Sequence, residues 1–182
     1  MKKISVFAGN DCRGEKRKDY LALAYKTGKL LAENGFTIVT GAGDGLMEET
    51  ARGAFEAHGD TVGIGLHYEG REESKHIKNI EVFKKLIPRQ EKLFTLADAY
   101  IALPGGVGTF FEIYNVLAFK RLNEMPKDVP FILIGEYFEM IQKDLDKMIR
   151  EGFLEKTASS LYVIVKTPEE AVEILKKEFQ VA

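Results

Sequence analysis

A glycine-rich segment followed by a glutamate carries the clearest chemical signal in this sequence. Residues 104–109 read Pro-Gly-Gly-Val-Gly-Thr, between a strand-like run at 99–103 and a helix-like run at 110–117, and Glu112 follows one turn into that helix. Glycines let the backbone approach a ligand closely, and the amide hydrogens at a helix start favour an anion such as a phosphate. Because a carboxylate repels phosphate, Glu112 indicates chemistry on a part of the ligand just beyond the phosphate. A tight strand-to-helix turn with a solvated glutamate would produce the same pattern.

Arg89 is a second residue that could take part in chemistry. A guanidinium stays charged at any working pH, and its planar fork holds phosphate or hydroxyl oxygens. It could therefore orient a ribose phosphate or stabilise developing negative charge. A surface arginine at the start of a helix predicted at 89–97 is the alternative interpretation.

A second glycine cluster, formed by Gly41, Gly43 and Gly45, also lies between a strand-like and a helix-like run. It lacks the G-x-G-x-x-G spacing of dinucleotide-binding folds, and no acidic residue closes the next strand about 20 positions later. NAD binding is therefore the less favoured interpretation. A second loop for close approach of a mononucleotide explains the cluster better.

Metal chemistry receives little support from the residue pattern. His58, His67 and His76 are spaced too widely and irregularly for a recognisable zinc site, and no carboxylate cluster completes one. We expect structural or solvated histidines and no metal.

The sequence has one cysteine, Cys12, which excludes an internal disulfide framework and is typical of a reducing compartment. We interpret Cys12 as a spectator thiol in a loop.

Length and composition favour one soluble globular domain that spans residues 1–182. The chain is 45% hydrophobic, which is enough for a full core. With 26 basic and 28 acidic residues, the net charge of −2 gives no broad electrostatic footprint for nucleic acid or an anionic membrane. The apolar stretches are short, and the first residues lead directly into a strand. We therefore expect no membrane span and a cytoplasmic location.

Short β-branched runs alternate with longer helical patterns, which favours a parallel sheet covered by helices. The predicted fold class is α/β, with a Rossmann-like, doubly wound, mainly parallel sheet flanked by helices. The predicted strands are 3–7, 36–39, 61–66, 80–83, 100–103, 130–134 and 161–165. The predicted helices are 16–34, 46–58, 89–97, a helix from 110, 137–151 and a final helix opened by a capping box at 167–170. We interpret residues 67–78 as a long loop over the site or at a subunit edge.

The glycines concentrate at the carboxyl ends of the predicted strands. Gly9 follows the first strand, and the two clusters and Gly135 follow later ones. In an open parallel sheet these ends line one edge, and ligands bind in the crevice where the strand order reverses. Asp98 precedes its strand and therefore belongs to the opposite edge, where a turn or cap is its expected role.

The order of these motifs resembles the LOG family, the cytokinin riboside 5′-monophosphate phosphoribohydrolases and their bacterial nucleotide-hydrolase relatives. Residues 104–112 are similar to the family's PGGxGTxxE signature, residues 6–9 to its opening strand and loop, and residues 40–48 to its second glycine loop. Arg89 falls where the family places an arginine ahead of the stretch at 97–99. The likeness covers nearly the whole chain. It implies hydrolysis of a nucleoside 5′-monophosphate to a free base and ribose 5-phosphate, without a cofactor.

The resemblance also implies roles for individual residues. Arg89 and Glu112 match the family's catalytic pair. A carboxylate can stabilise the positive charge that builds on the sugar as an N-glycosidic bond breaks, and it can direct a water to the anomeric carbon. The sequence departs from the family pattern at three positions. Ala42 and Asp44 stand where related sequences usually have glycine and proline or another small residue, and Gln90 stands where the family commonly has lysine. The implied substrate-binding residues are Gly9, Asn10, Gly41, Gly43, Gly45, Gly105, Gly106, Gly108 and Thr109.

One other function, non-catalytic binding, stays open on the sequence alone, and a second, lysine decarboxylation, is less favoured. Related Rossmann-like proteins with similar glycine signatures carry molybdenum cofactor or sense nucleotides without catalysis. The pair Arg89 and Glu112 separates the two readings, because hydrolysis requires it and simple binding does not. Pyridoxal-dependent lysine decarboxylation lacks support, since no lysine stands out as an aldimine former and the chain is short for such an enzyme.

The helix that carries Glu112 has large apolar side chains on more than one side. A helix of this kind is buried on several sides, and a subunit interface is one way to cover the second. The pattern, together with the resemblance, predicts a homodimer or a larger even-numbered assembly. The apolar residues are Phe110, Phe111, Tyr114, Leu117 and Phe119.

Overall fold

The computed structural model describes residues 1–67 and 74–181, which alternate between strands and helices. The strands are β1 (Lys3–Phe7), β2 (Thr37–Thr40), β3 (Thr61–Leu66), β4 (Asn79–Phe83), β5 (Ala99–Ala102), β6 (Phe131–Ile134) and β7 (Val163–Val165). The helices are α1 (Arg17–Glu33), α2 (Leu46–Glu56), α3 (Leu86–Thr95), α4 (Val107–Arg121), α5 (Glu139–Arg150) and α6 (Pro168–Phe179). Short 3₁₀ turns at Glu136–Phe138 and Lys156–Ser160 precede α5 and β7.

All seven strands form one parallel sheet in the order β4-β3-β2-β1-β5-β6-β7. The chain builds outward from β1 in one direction and from β5 in the other. The strand order therefore reverses between β1 and β5, where Phe7 lies opposite Ala102. This confirms the predicted doubly wound α/β class and places the ligand crevice of such sheets at the carboxyl ends of these two strands.

Both faces of the sheet are buried, which explains why the central strands are apolar almost throughout. Along β1, Ile4 and Val6 point to a core cluster under α1, α2 and α6. Phe7 points to the other side, where a second cluster packs against α4 and α5. The alternation follows the two-residue period of a strand, so one strand supplies both cores.

Two predicted helix boundaries near the glycine-rich segments are wrong. Helix α3 begins at Leu86 rather than at Arg89, because Pro88 sits in its first turn, where a helix needs no amide hydrogen from that residue. Helix α4 begins at Val107 rather than at residue 110, so Thr109 belongs to its first turn. The second difference moves Gly108 and Thr109 from the predicted loop onto α4, whereas Arg89 lies on a helix in both cases.

Other sequence predictions concern the ends and edges of the sheet. The Thr167 side chain caps α6 by accepting from the backbone amide of Glu170, as expected. Asp98 lies at the amino end of β5, and its carboxylate accepts hydrogen bonds from the backbone amide of Lys3 and from Nζ of Lys2. Of the predicted loop 67–78, residues 68–73 lie outside the described residues.

Lys120 anchors the far end of α4. Its side chain is buried, and Nζ donates to the carbonyls of Val129 and Leu161 at 2.7 and 2.6 Å. Burial lowers the pKa of Lys120 to about 8, while the charge of Asp128 acts in the opposite direction. The lysine thereby ties the carboxyl end of α4 to the segments that precede β6 and β7.

No helix among residues 1–67 and 74–181 is long and apolar enough to cross a membrane.

Candidate active site

A cleft of about 600 Å³ opens at the carboxyl ends of β1 and β5, where the strand order reverses. Its walls come from the loop after β1, the starts of α2, α3 and α4, and the turn after β6. Several residues predicted from the sequence meet here although they are far apart along the chain. They are Gly9, Asn10, Arg89, Gly105, Gly106, Gly108, Thr109 and Glu112.

The floor of the cleft is a close contact between two backbone segments. The amide of Gly9 donates to the carbonyl of Pro104 at 3.1 Å, and a Cβ on Gly9 would lie 2.9 Å from the Cα of Gly105. A Cβ on Gly105 would in turn lie 2.1 Å from Oγ1 of Thr109. Side chains at either glycine would push the strand ends apart, so the contact requires glycine on both sides.

The start of α4 has the features of an anion site. The first amide groups of a helix lack partners within the helix, and their dipoles favour negative charge. Gly106 and Gly108 are exposed here, and a Cβ on either would meet no atom within 4 Å. The hydroxyl of Thr109 has no hydrogen-bond partner among the described residues. A phosphate group could therefore contact this turn without steric hindrance.

Tyr137 holds the glycine-rich segment from the other side of the cleft. Its hydroxyl donates to the carbonyl of Gly105 at 2.7 Å. Its ring makes edge contacts with Tyr20 and Phe110, at centroid distances of 6.0 and 6.2 Å. The turn after β6 therefore fixes the peptide that precedes α4. Tyr137 has no local sequence signal for this role, because its partner Gly105 lies 32 positions away along the chain.

Glu112 and Arg89 form a buried ion pair in the wall of the cleft. Nη1 of Arg89 donates to Oε1 of Glu112 at 2.8 Å, and the two side chains are 9% and 8% exposed. Nε of Arg89 donates to the carbonyl of Ile64 at 2.8 Å. Arg89 thus spans the distance from the end of β3 to α4. The structure excludes the alternative of a solvated surface arginine and a solvated Glu112.

The environment of Glu112 contains opposing influences on its acidity. Burial raises the pKa of the Glu112 carboxyl, whereas the charge of Arg89 and hydrogen bonds from Arg89 and Gln90 act to lower it. Burial is the largest of these influences, so the pKa of the Glu112 carboxyl lies above that of an exposed glutamate. Raised pKa values are common among carboxyl groups that act as general acids or bases.

The second glycine cluster lies behind the cleft rather than in its lining. A Cβ on Gly41 would lie 2.0 Å from Nη2 of Arg89, so this glycine leaves space for the guanidinium. Gly45 packs against the carbonyl of Asn10, and the first amide of α2, at Leu46, donates to Gly9 and Asn10. Gly43 is buried in the same loop. Direct contact of these three glycines with a substrate stays a prediction.

The two departures in this second loop have different consequences. Ala42 is buried and has a φ of +54°, in the left-handed region that glycine occupies more readily. The backbone therefore retains a glycine-like conformation although the residue is alanine. Asp44 is exposed and does not line the cleft.

The three histidines lie in different surroundings, and His67 is exposed. Nδ1 of His76 lies 2.6 Å from Oε1 of Glu48, and its ring contacts Phe55 edge-on. His58 has a φ of +60° just after α2. Among residues 1–67 and 74–181, no group of three or more His, Cys, Asp and Glu side chains could hold a metal ion. Cys12 lies on the rim of the cleft, beside Asp11, and is a free thiol.

Comparisons with known proteins identify the family of this chain. A model of the family described as "Possible lysine decarboxylase" matches residues 47–175. The cytokinin riboside 5′-monophosphate phosphoribohydrolase of Rhodococcoides fascians is 30% identical over 180 residues, which cover 96% of this chain and 89% of that protein. The protein LOG1 of Arabidopsis thaliana, which has the same enzyme name, is also 30% identical, over 97% of this chain and 82% of its own.

One solved structure with the same fold is the molybdenum cofactor binding protein from Rippkaea orientalis. It has a TM-score of 0.74 and 22% identity, and the match covers 98% of this chain and 97% of that one. Identity at this level supports the fold alone. The family match and the two relatives at 30% identity go further, and they establish that the chain belongs to the LOG family, whose family model is described as "Possible lysine decarboxylase".

Proposed function

We propose that this protein hydrolyses the N-glycosidic bond of a nucleoside 5′-monophosphate and releases a free base and ribose 5-phosphate. The observation that carries the proposal is the position of the Glu112 carboxylate. It is buried against Arg89, on the same helix as the anion site and one turn beyond it. The names of the relatives from Rhodococcoides fascians and Arabidopsis thaliana support the same activity.

The start of α4 binds the 5′-phosphate in this proposal. The amides of the first turn and the Thr109 hydroxyl donate to the phosphate oxygens, and the helix dipole adds a favourable field. A helix rises about 5.4 Å per turn, which is close to the span from a 5′-phosphate across a ribose ring. The sugar therefore lies beside Glu112.

The carboxylate of Glu112 performs the chemical step. As the bond from C1′ to the base nitrogen breaks, its electron pair moves to the base, and positive charge builds on C1′ and the ring oxygen. The negative charge of Glu112 stabilises this state and directs a water to C1′. Glu112 accepts a proton from the water as the new C–O bond forms and then releases it to solvent, while the departing base takes up one proton from solvent. In total the hydroxyl of one water goes to C1′ and one proton goes to the base, and Glu112 returns to its charged form. The reaction needs neither a metal nor an organic cofactor.

A carrier of molybdenum cofactor or nucleotide is the second candidate function, and the Rippkaea orientalis protein shares its fold with this chain. Binding alone does not need a buried carboxylate next to the sugar, and such a group would repel an anionic ligand.

Lysine decarboxylation, the activity in the family description, is less compatible with the cleft. Its lining includes no lysine among the described residues, and pyridoxal chemistry requires one for the aldimine.

A panel of nucleoside 5′-monophosphates tests the proposal. Chromatography after incubation with the purified protein is expected to detect free base from at least one member. Release of nucleoside and inorganic phosphate would instead identify a phosphatase. Binding of a nucleotide without any product would favour the carrier.

Arg89→Ala is expected to lower kcat/KM by about 100-fold, because Glu112 loses the partner that holds it in place. The variant also leaves a buried carboxylate without its counter-charge, a change that costs about 3–5 kcal/mol of stability. Kinetic constants should therefore be measured per folded molecule, with the folded fraction taken from circular dichroism. Unchanged constants on that basis would make Arg89 purely structural.

A double variant separates the two effects of Arg89. In the Glu112→Gln background the carboxylate charge is absent, so that Arg89→Ala should cost much less stability there than in the wild type. An equal loss of melting temperature in both backgrounds would mean that the ion pair contributes little to folding.

We also propose that the chain forms a homodimer through the face between α3 and α4. Ile87 is 65% exposed and Phe111 is 37% exposed, on either side of a largely apolar groove of about 550 Å³. Light scattering should give a mass of about 41 kDa, twice the 20.5 kDa of the chain. Phe111→Glu should shift the mass to that of a monomer, whereas Phe153→Glu, at an exposed apolar residue elsewhere, should not. A wild-type monomer at micromolar concentration would contradict this assembly.

A further inference from the structure

Gln90 contacts the same carboxylate as Arg89, and it does so on the same oxygen. Its Nε2 donates to Oε1 of Glu112 at 3.3 Å, while Nη1 of Arg89 donates to that oxygen at 2.8 Å. Gln90 is 4% exposed and lies in the wall of the cleft. Oε2 of Glu112 accepts no hydrogen bond from the part of the chain that the structure describes.

Two donors on the same oxygen limit the rotation of the carboxylate more strongly than a single donor does. Rotation about the terminal bond of a glutamate side chain is soft, so that a single contact lets the two oxygens exchange places. The position of Arg89 is itself fixed by the bond from its Nε to Ile64. Gln90 supplies the second point of attachment, which holds Oε1 in the wall and leaves Oε2 for other partners.

The other end of the Gln90 amide, its Oε1, has no partner in the described part of the chain. Its Oε1 is buried and accepts no hydrogen bond within residues 1–67 and 74–181. A leucine or methionine would fill a similar volume without leaving a buried acceptor unpaired, so packing alone does not account for glutamine at this position. The amide nitrogen of Gln90 therefore accounts for glutamine here, because it donates a hydrogen bond to Glu112.

We propose that Gln90 is a positioning residue for Glu112: with Arg89 it holds Oε1, so that Oε2 is the oxygen that meets the sugar and the water. The proposal rests on the proposed hydrolysis for the reaction itself. The contact between Gln90 and Glu112 can be tested without substrate, because a donor to the carboxylate also favours its charged form.

Two substitutions of Gln90 are expected to shift the pKa of Glu112 in opposite directions. Gln90→Leu removes a donor to the carboxylate, which raises the pKa of Glu112 and moves the acid limb of kcat/KM to higher pH. Gln90→Lys places a cation next to the carboxylate, which lowers that pKa and moves the acid limb to lower pH. Among the described residues, Arg89 is the charged group in contact with Glu112.

Other titratable groups face the same cleft and set the background of the measurement. They come from the loop after β1, from α1 and from the turn after β6, and none bonds to Glu112 in the described part of the chain. These groups are Asp11, Cys12, Tyr20 and Tyr137. They are unchanged in all the variants, so differences between variants report on position 90.

Carbon-13 NMR of the glutamate carboxyls in the full-length, substrate-free protein measures the effect directly, with the Glu112 signal assigned by its loss in Glu112→Gln. We expect shifts of about one pH unit in opposite directions for Gln90→Leu and Gln90→Lys. Glu91→Gln, at an exposed neighbour on α3, should leave the titration unchanged. Shifts of the same sign, or none, would overturn the proposal.

Kinetics provide the second readout. At the pH optimum, Gln90→Leu should lower kcat by about 10-fold and change KM by less than about 3-fold, because Gln90 acts through Glu112 and not on the substrate. Its melting temperature should be unchanged or higher, since a buried unpaired acceptor is removed. A lower melting temperature with wild-type kcat would overturn the proposal. Opposite NMR shifts in a protein that hydrolyses no nucleotide would uphold the contact of Gln90 with Glu112 and refute the proposed function.

Discussion

Glu112→Gln is expected to keep the fold and nucleotide binding but to lose at least about 100-fold in turnover, the scale of loss when a positioned acid–base group is removed. The glutamine has nearly the same volume, and its carbonyl can still accept from Nη1 of Arg89, which lies 2.8 Å from Oε1 in the wild type. It cannot accept a proton or stabilise positive charge on the sugar. Turnover and binding should therefore separate in this variant.

The measurement combines steady-state kinetics with titration calorimetry on the same preparation. Glu178→Gln is a matched control, because it removes one carboxylate from an exposed position on α6. The control should behave as the wild type in both assays. Full activity of Glu112→Gln would rule out the mechanism, and a loss of nucleotide binding alone would place Glu112 in binding rather than in chemistry.

Adenosine is expected to have a kcat/KM at least about 100-fold lower than that of adenosine 5′-monophosphate. The phosphate gains several charge-assisted hydrogen bonds at the start of α4, each worth about 1.5–3 kcal/mol. This binding energy places the anomeric carbon beside Glu112 and thus supports the chemical step. Di- and triphosphates should also be poor substrates, because a turn that fits one phosphate leaves the second without partners.

Thr109→Val tests whether the Thr109 hydroxyl contributes to the phosphate requirement. Valine has the shape of threonine without its hydroxyl, and the hydroxyl has no other partner among the described residues. The variant should lose activity on the monophosphate and leave the slow reaction of adenosine unchanged, so that the ratio between the two substrates narrows. Equal specificity constants for both substrates in the wild type would show that the start of α4 does not hold phosphate.

The fold could be predicted from the sequence because its signals are local and repeat along the chain. Alternating strand and helix patterns with glycines after the strands predicted the parallel doubly wound sheet, and the structure confirms it. The starts of α3 and α4 were misjudged for a local reason. Pro88 reads as a helix boundary although the first turn tolerates it, and Gly106 and Gly108 read as loop although α4 begins between them.

Only those residues of the candidate site that belong to recognisable sequence motifs could be predicted from the sequence. Glu112, Arg89 and the glycine-rich segment were identified, and the structure places them in one cleft. Gln90 was noted as a departure, but its bond to Glu112 spans 22 positions and could not be read from spacing. Tyr137 and Gly41 act on Gly105 and Arg89 through tertiary contacts, and the sequence offers no signal for those pairings.

Proton NMR of the reaction mixture tests the central claim most directly, because it follows the atom at which the bond breaks. The purified protein is incubated with each nucleoside 5′-monophosphate of the panel, and the H1′ signal of the nucleotide is recorded over time. For at least one nucleotide, that signal should decay as the signals of free base and ribose 5-phosphate rise in equal amounts, and Glu112→Gln should abolish the decay. An H1′ signal that stays constant for every nucleotide, in a protein that calorimetry shows to bind one of them, would contradict the account and identify a binding protein.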